Sequence, residues 1–449
     1  MTMSELVAKA TQRVITVSVD RDPLEPEIFL RAHSGLARGF WSHAGHWTAF
    51  AGAVAALESP GGARRFADVR AQAELVAREA ADDVDPPARF HGGFAFSPAT
   101  PRDAFWTAFA SARFVMPAFE LTGGAGAAES RAYARVRCNE GDAKRARAHA
   151  RALLADVSTV WSAAAPTHVA ARAVTVGSTD REAWDRAVTA ALGMIERERL
   201  EKVVLARTLD VSASPDLDPV DVLERVRRDN PRATVFYFEP QPGHVFLGAA
   251  PEVVVVLHGN SFHATAVAGS VGRGSTPAQD ERLAQDLLGS PKERREHAIG
   301  VDDLIRRVAP LAREVEADPE PHVLRLARIQ HLETQIRATV ADDQHVLDLL
   351  GALHPSAAVC GQPRDAAFAF LGDREPFERG WYAGPVGWFD TAGNGAFAPA
   401  LRSAVGLAGR WRLFAGAGIV PGSDPAREWE ETRIKFQPML NALGAQNGG

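Results

Sequence analysis

The sequence predicts an α+β protein built on large antiparallel sheets, and three observations carry that expectation. Its β-like runs and helical segments come in blocks rather than in strict β–α–β alternation, which sets it apart from the doubly wound class. Many of those runs are joined by turns of a few residues, too short for a parallel crossover, so neighbouring strands must run antiparallel. The chain has 449 residues, 46% of them hydrophobic and 24% charged, the balance of a globular protein with a sizeable core.

The first block holds short β-like runs at 13–19, 47–55, 89–96, 112–121 and 132–138, separated by glycine, proline and acidic turns. The glycine-rich 123–128 reads as a flexible loop. Residues 141–161 lack glycine and proline beyond their start and carry Ala150, Leu153, Leu154 and Val157 at helical spacing, predicting one long helix. The weakly periodic 162–178 is the boundary between an amino-terminal part, 1–165, and a second region, 178–445. That second region reads as a helix at 181–200, a strand at 202–211, a helix at 219–228 and strands at 233–238, 244–248, 252–258 and 261–267. Gly259-Asn260 is a two-residue hairpin signal between the last two. Helices at 276–288 and 290–308 follow, the latter opened by Ser290 as N-cap and Pro291 at the first helical position. A meander at 380–389, 396–405 and 412–420 leads to a closing helix at 425–443, signalled by Asp424 and Pro425.

Composition narrows the function. A net charge of −6 offers nothing to attract nucleic acid, and no apolar run approaches the ~18 residues of a membrane span. Glu5 and Lys9 interrupt any leader-like run, and two cysteines, Cys138 and Cys360, are too few for a disulfide framework, so a reducing, cytoplasmic setting is expected. There is no HExxH, no G-x-S-x-G and no Walker A loop.

The lysines are informative because they are rare: Lys9, Lys144, Lys202, Lys292 and Lys435 are the only five among 50 basic residues. Unlike arginine, lysine can lose its charge on burial and act as a base. Lys202 opens an apolar run, and Glu252 follows Gly248-Ala249-Ala250-Pro251 at the start of another, so together they form a candidate base and acid. On the last helix Glu428, Glu431 and Lys435 share one face at spacings of three and four; Glu296, beside Lys292, Glu293 and His297, lies on the helix from Ser290. These carboxylates suit a hard divalent cation such as Mg²⁺, and equally suit solvated helix faces with an i,i+4 pair. Glycine-rich 268–274 and 415–422 allow amides to approach an anion or simply form tight turns. The residues alone lead to a Mg²⁺-dependent enzyme acting on a small anion.

An ordered set of segments extends this. Glu201 to Arg207, Phe246 to Glu252, Ala268-Gly269-Ser270, Glu296-His297, His331 to Thr334, His354 to Pro363, Gly380 to Gly384, Leu401-Arg402-Ser403, Ala415 to Val420 and Glu428 to Thr432 with Lys435 together resemble the chorismate-utilising enzymes. That family comprises isochorismate synthases, salicylate synthases, anthranilate synthase and aminodeoxychorismate synthase. The likeness spans about 180–445 strongly and the amino-terminal part loosely. It implies a two-lobed sandwich of antiparallel sheets flanked by helices, with chorismate as substrate. Within the family, Lys202 matches the water-using members, Ala268 stands where aminodeoxychorismate synthases carry lysine, and 354–363 is similar to isochorismate rather than salicylate synthases. Ser270 and Ser356 replace the usual threonines and keep the hydroxyl. The resemblance implies Lys202 as base, Glu252 as acid, Glu296 and Glu431 with Glu428 on Mg²⁺, and Ser270, His331, Arg402, Gly416 and Lys435 around the substrate carboxylates. It further implies a monomer with no glutamine amidotransferase subunit and a product feeding menaquinone or siderophore biosynthesis, the alternatives being a salicylate synthase and a non-catalytic chorismate-binding subunit.

Overall fold

The computed structural model describes residues 12–80, 86–124, 126–163, 173–214 and 216–445. Among them two large antiparallel sheets are formed. The first runs, edge to edge, through Gln12–Arg21, Ser130–Asn139, Phe119–Gly124, His46–Ala51, Arg38–His43, Thr234–Gln241, His244–Ala250, Ser403–Leu407, Arg410–Ile419, Lys202–Ala213 and Gly361–Gln362, with Ala173–Ser178 also paired to Lys202–Ala213. The second runs through Ala312–Ala317, Ile329–Val340, Ser261–Gly272, Val255–His258, Gly395–Pro399, Pro385–Asp390, Arg89–Phe94, Ala112–Met116 and Ala55–Ser59, with His322–Arg325 on Ile329–Val340. Both sheets hold strands from before 165 and after 178 in adjoining blocks, which meet where Arg38–His43 pairs with Thr234–Gln241 and where Arg89–Phe94 pairs with Pro385–Asp390.

The sheets pack face to face, and strand alternation shows it. Phe236, Phe238, Phe246 and Phe414 point into a core shared with Val386, Ala396 and Ala398 of the second sheet. Their neighbours Val235, Tyr237, Val245, Leu247 and Leu413 point outward, under helices Pro26–Ala32, Ala143–Ala163, Pro219–Asp229 and Pro425–Ala442. The outer face of the second sheet is covered by Arg65–Glu79, Pro291–Val308 and Val346–Leu353. Strand segments buried on both faces read as unbroken apolar runs, which is why residues 203–206 and 245–250 lack polar alternation.

Several boundaries differ from the sequence expectation, for local reasons. The run 112–121 is two strands in different sheets, broken at Pro117, which cannot donate to a ladder. The run 396–405 also splits between sheets, with Arg402 at the break in the left-handed region (φ 48°). Residues 380–384 form a turn, and the strand after Pro251 starts only at Val255. Gly123 and Gly124 belong to a strand instead of a loop. The helix from Arg181 ends at Glu196, and Glu198 follows at positive φ. Helices Pro26–Ala32, Arg65–Glu79, Val346–Leu353 and Arg364–Arg374, and strands such as Ile329–Val340, went unanticipated. Part of the boundary region, 164–172, lies outside the described residues. The caps at Ser290 and Asp424 hold as read: Ser290 accepts from the Glu293 amide, and Asp424 accepts from the amides of Ala426 and Arg427.

Candidate active site

The chain crosses between the sheets at Pro251–Val254 and again at Ala400–Arg402, and a small cavity, about 60 Å³ in volume, lies at these crossings. Crossing segments have left one ladder without entering the next, so their side chains are free to face a cleft. Glu252 and Arg402 reach the wall for this reason. Two crossing-side residues, Ala383 and Arg402, hold left-handed backbone (φ 60° and 48°), a strain of about 1–3 kcal/mol each that the surrounding ladders impose.

On the first sheet Lys202 is 1% exposed, and its Nζ lies 2.9 Å from Glu296 Oε1 on the helix Pro291–Val308. Gly418, in the neighbouring strand, makes room for this pair: a β-carbon there would stand 2.0 Å from Glu296 Oε1 and 3.0 Å from Lys202 Cε. Glu252 accepts a hydrogen bond from the Val267 amide at 3.2 Å. Burial pushes its carboxyl up to about 7, despite the opposing pull of that amide and of Lys202, Arg402 and Lys435. Near neutrality Glu252 is therefore both proton donor and proton acceptor.

Opposite stands a linked polar wall. His331 is buried, and burial together with Arg402 and Lys435 holds its imidazole well below the usual range, so it is neutral. Its Nδ1–H donates to the Gly269 carbonyl at 2.8 Å, with Ser270 Oγ 3.1 Å from the same nitrogen. Nε2 is then left to accept from Arg402 Nη2 at 3.0 Å, which fixes the guanidinium. Lys435 donates to Glu431 at 2.5 Å and to the Gly416 carbonyl at 2.9 Å. Lys435 outweighs burial and holds the Glu431 carboxyl below its ordinary value, and Ser270 also hydrogen-bonds to it. The remaining wall is apolar and flat: Tyr382 and Phe414 stack with ring centroids 4.8 Å apart, beside Leu401, Ala358 and Val359.

The two acidic helix faces, separate in sequence, meet. Lys292 bridges Glu293 (3.2 Å) and Glu428 (2.9 Å) across the helices, so the closing helix is no solvated face on this side. Burial, then Glu431, raises the Glu428 carboxyl to about 7; burial, with Glu296 and Glu431 adding to it, also raises Glu293. Four carboxylates thus crowd one another; Glu293 Oε2 is buried with no hydrogen-bond partner, and Glu428 Oε1 meets the Lys292 ammonium. Each of Glu296, Glu428 and Glu431 is paired to a lysine, and among the described residues no three metal-ligating side chains already converge. Crowded carboxylate oxygens, one of them, Glu293 Oε2, orphaned, nonetheless fit a hard divalent ion. Charge supports the same conclusion. Arg402 and Lys435 only balance Glu296 and Glu431, so the wall needs added positive charge to meet a dianion.

Eight of the ten site residues named from sequence line this cavity: Glu252, Ser270, Glu296, His331, Arg402, Gly416, Glu431 and Lys435. Lys202 is not on the lining but stands behind Glu296, its Nζ 2.9 Å from Glu296 Oε1, and Glu428 stands one layer back with Lys292. Gly416 sits inside a strand, paired with Ala206, and contributes its carbonyl and its lack of a side chain rather than a free loop. Sequence reading did not single out Gly418, Glu293 or the Tyr382–Phe414 stack. The rarity of lysine could have flagged Lys292, the third of five lysines to fall at this site.

A family model described as chorismate binding enzyme matches residues 2–444. The salicylate biosynthesis isochorismate synthase of Pseudomonas aeruginosa is 37% identical over 403 residues, covering 88% of this chain and 82% of that protein. Isochorismate synthase MenF of Bacillus subtilis is 34% identical over 355 residues, covering 79% and 74%. Among solved structures, the menaquinone-specific isochorismate synthase MenF from Escherichia coli has a TM-score of 0.81 over 98% of this chain and 100% of that one. Anthranilate synthase component I from Streptococcus pneumoniae has 0.70 over 94% and 92%. At 24% and 18% identity, these two likenesses speak for the fold alone.

Proposed function

The chain belongs to the chorismate binding enzyme family, and from that premise we propose that it is an isochorismate synthase, an isomerase that converts chorismate to isochorismate. The observation that carries the reading is the pairing, in one cavity, of a buried lysine with a carboxylic acid that is protonated up to about pH 7. Lys202 takes a proton from water as its oxygen bonds to C2. The ring double bonds shift, the C4–O bond breaks, and Glu252 protonates the departing hydroxyl. One water enters and one leaves, so the reaction is an isomerisation, and Lys202 and Glu252 return to their starting forms by exchanging protons with solvent. Glu296, 2.9 Å from Lys202, orients the amine.

Arg402, held by His331, and Lys435 supply charge to the two substrate carboxylates, with Ser270 and the Gly416 strand completing that wall. The flat Tyr382–Phe414 face suits the ring. Glu296 and Glu431, with Glu428 assisting, would hold Mg²⁺, which when bound supplies the positive charge this wall lacks for a dianion. In this reading the product feeds menaquinone or siderophore biosynthesis. In this reading the enzyme is a cytoplasmic monomer; it uses water, so it needs no glutamine amidotransferase subunit, and it has no nucleic-acid partner. No helix among the described residues is long and apolar enough to cross a membrane.

The test is incubation with chorismate, with and without Mg²⁺, followed by chromatography and mass analysis. Isochorismate formed only with Mg²⁺, reaching a stable mixture with chorismate, is the expected outcome. Salicylate and pyruvate would assign a salicylate synthase instead, and unchanged chorismate would refute the enzyme.

A further inference from the structure

On the far side of the segment 354–359 from the active site lies a second, larger groove, lined by the start of helix Arg65–Glu79, the start of helix Arg364–Arg374 and His354-Pro355 between them. The two ends of that segment face different spaces: His354 and Pro355 line the groove, while Ala358 and Val359 line the catalytic cavity.

The groove is built around a cation with no counterion. Arg65 is 3% exposed, and among the described residues no carboxylate forms an ion pair with it. Its Nη2 donates to the Ala95 and Phe96 carbonyls at 3.0 and 3.4 Å, whereas Nε and Nη1 are buried with no partner. A buried guanidinium with three unused N–H donors is costly unless an acceptor meets it, and burial already lowers this one to about 10. The two helices that open on the groove have no side-chain cap at their amino termini, so both present the positive end of the helix dipole to it. Arg64 and Arg364 add exposed charge at the rim. Of the acids on the lining, Asp348 is held by Arg70, and the exposed Asp365 faces Arg364 at 3.5 Å.

The walls between these charges are aromatic. Phe66 carries the Arg65 guanidinium 5.2 Å over its ring, and Phe96 and Phe368 stack with centroids 5.5 Å apart. Inorganic anions use the donors and leave such faces unused, whereas an arene carboxylate uses both.

We propose that this groove is a second ligand site, distinct from the catalytic cavity, that takes a flat aromatic carboxylate with its carboxylate on Arg65 and its ring against Phe66 and Phe368. The proposal does not depend on which chorismate reaction the enzyme performs.

The probe is 4-fluorobenzoate, followed by ¹⁹F NMR on the full-length protein, with 4-fluorobenzamide as the uncharged control. Millimolar or tighter binding of the acid, at least tenfold stronger than the amide, is expected. R65M removes the donors while keeping the stem. A67W fills the groove from an exposed helical position without removing any bond, so it tests the site even where R65M fails to fold. Each should weaken binding at least tenfold. Binding unaffected by A67W, displacement of the probe by chorismate, equal binding of the amide, or no binding by the wild type would overturn the proposal.

Discussion

Glu252 offers a test in which one substitution moves activity and stability in opposite directions. Its carboxyl titrates at about 7 in the fold against 4.5 as the ordinary value, because burial disfavours the charged form. That rise corresponds to about 3 kcal/mol of penalty on the ionised folded state. The sign follows from the raised value: the penalty is absent below pH 4.5, accumulates as pH rises, and is complete above about 7. Glu252→Gln keeps an acceptor for the Val267 amide and removes the titration. The variant should therefore match the wild type in urea stability at pH 4.5 and exceed it by up to about 3 kcal/mol at pH 8–9. Glu428 also titrates near 7, so both proteins lose stability with pH, and the difference between their curves isolates Glu252. Loss of the proton donor should at the same time lower turnover by about 10²–10⁴-fold, and wild-type kcat/KM should fall as pH rises through about 7. Parallel stability curves at all pH values would show that Glu252 is not a buried, protonated acid, and near-normal turnover would remove it from the chemistry.

Three further outcomes are expected. Lys202→Ala should lower turnover by about 10²–10⁴-fold and, by stranding Glu296, cost about 3–5 kcal/mol in denaturant; unchanged kcat would exclude Lys202 as base. Glu431→Gln should raise the Mg²⁺ concentration needed for half-maximal activity or abolish activity, and an unshifted metal titration would leave Glu431 as a partner of Lys435 only. Gly418→Ala places a methyl 2.0 Å from Glu296 Oε1, so it should disrupt the Lys202–Glu296 pair and cut kcat; full activity would show that this geometry is not required.

The helix and strand signals that held are local ones. Ser290 and Asp424 cap where their chemistry says they should, and Gly259-Asn260 turns the hairpin because Gly259 adopts positive φ. Family membership was legible for a similar reason: it rests on residue types in order along the chain, and Lys202, Glu252 and Arg402 stand in those segments. What failed were the sheet crossings at Pro117 and Arg402, where a continuous apolar run hides a change of partner. Propensity describes a strand but not which sheet it joins.

The sequence by itself determined the fold class, the family and most side chains of the cavity, because each depends on residue identity and spacing. Only the tertiary structure decided that the face of the closing helix bearing Glu428 meets Lys292 across the site, that Gly418 rather than a free loop makes room for the Lys202–Glu296 pair, and that Arg65 lies buried without a counterion. These are through-space relations between residues tens to hundreds of positions apart. They exist only once two sheets and their helices have packed, and burial then sets both the titration of Glu252 and the cost of an unpaired charge.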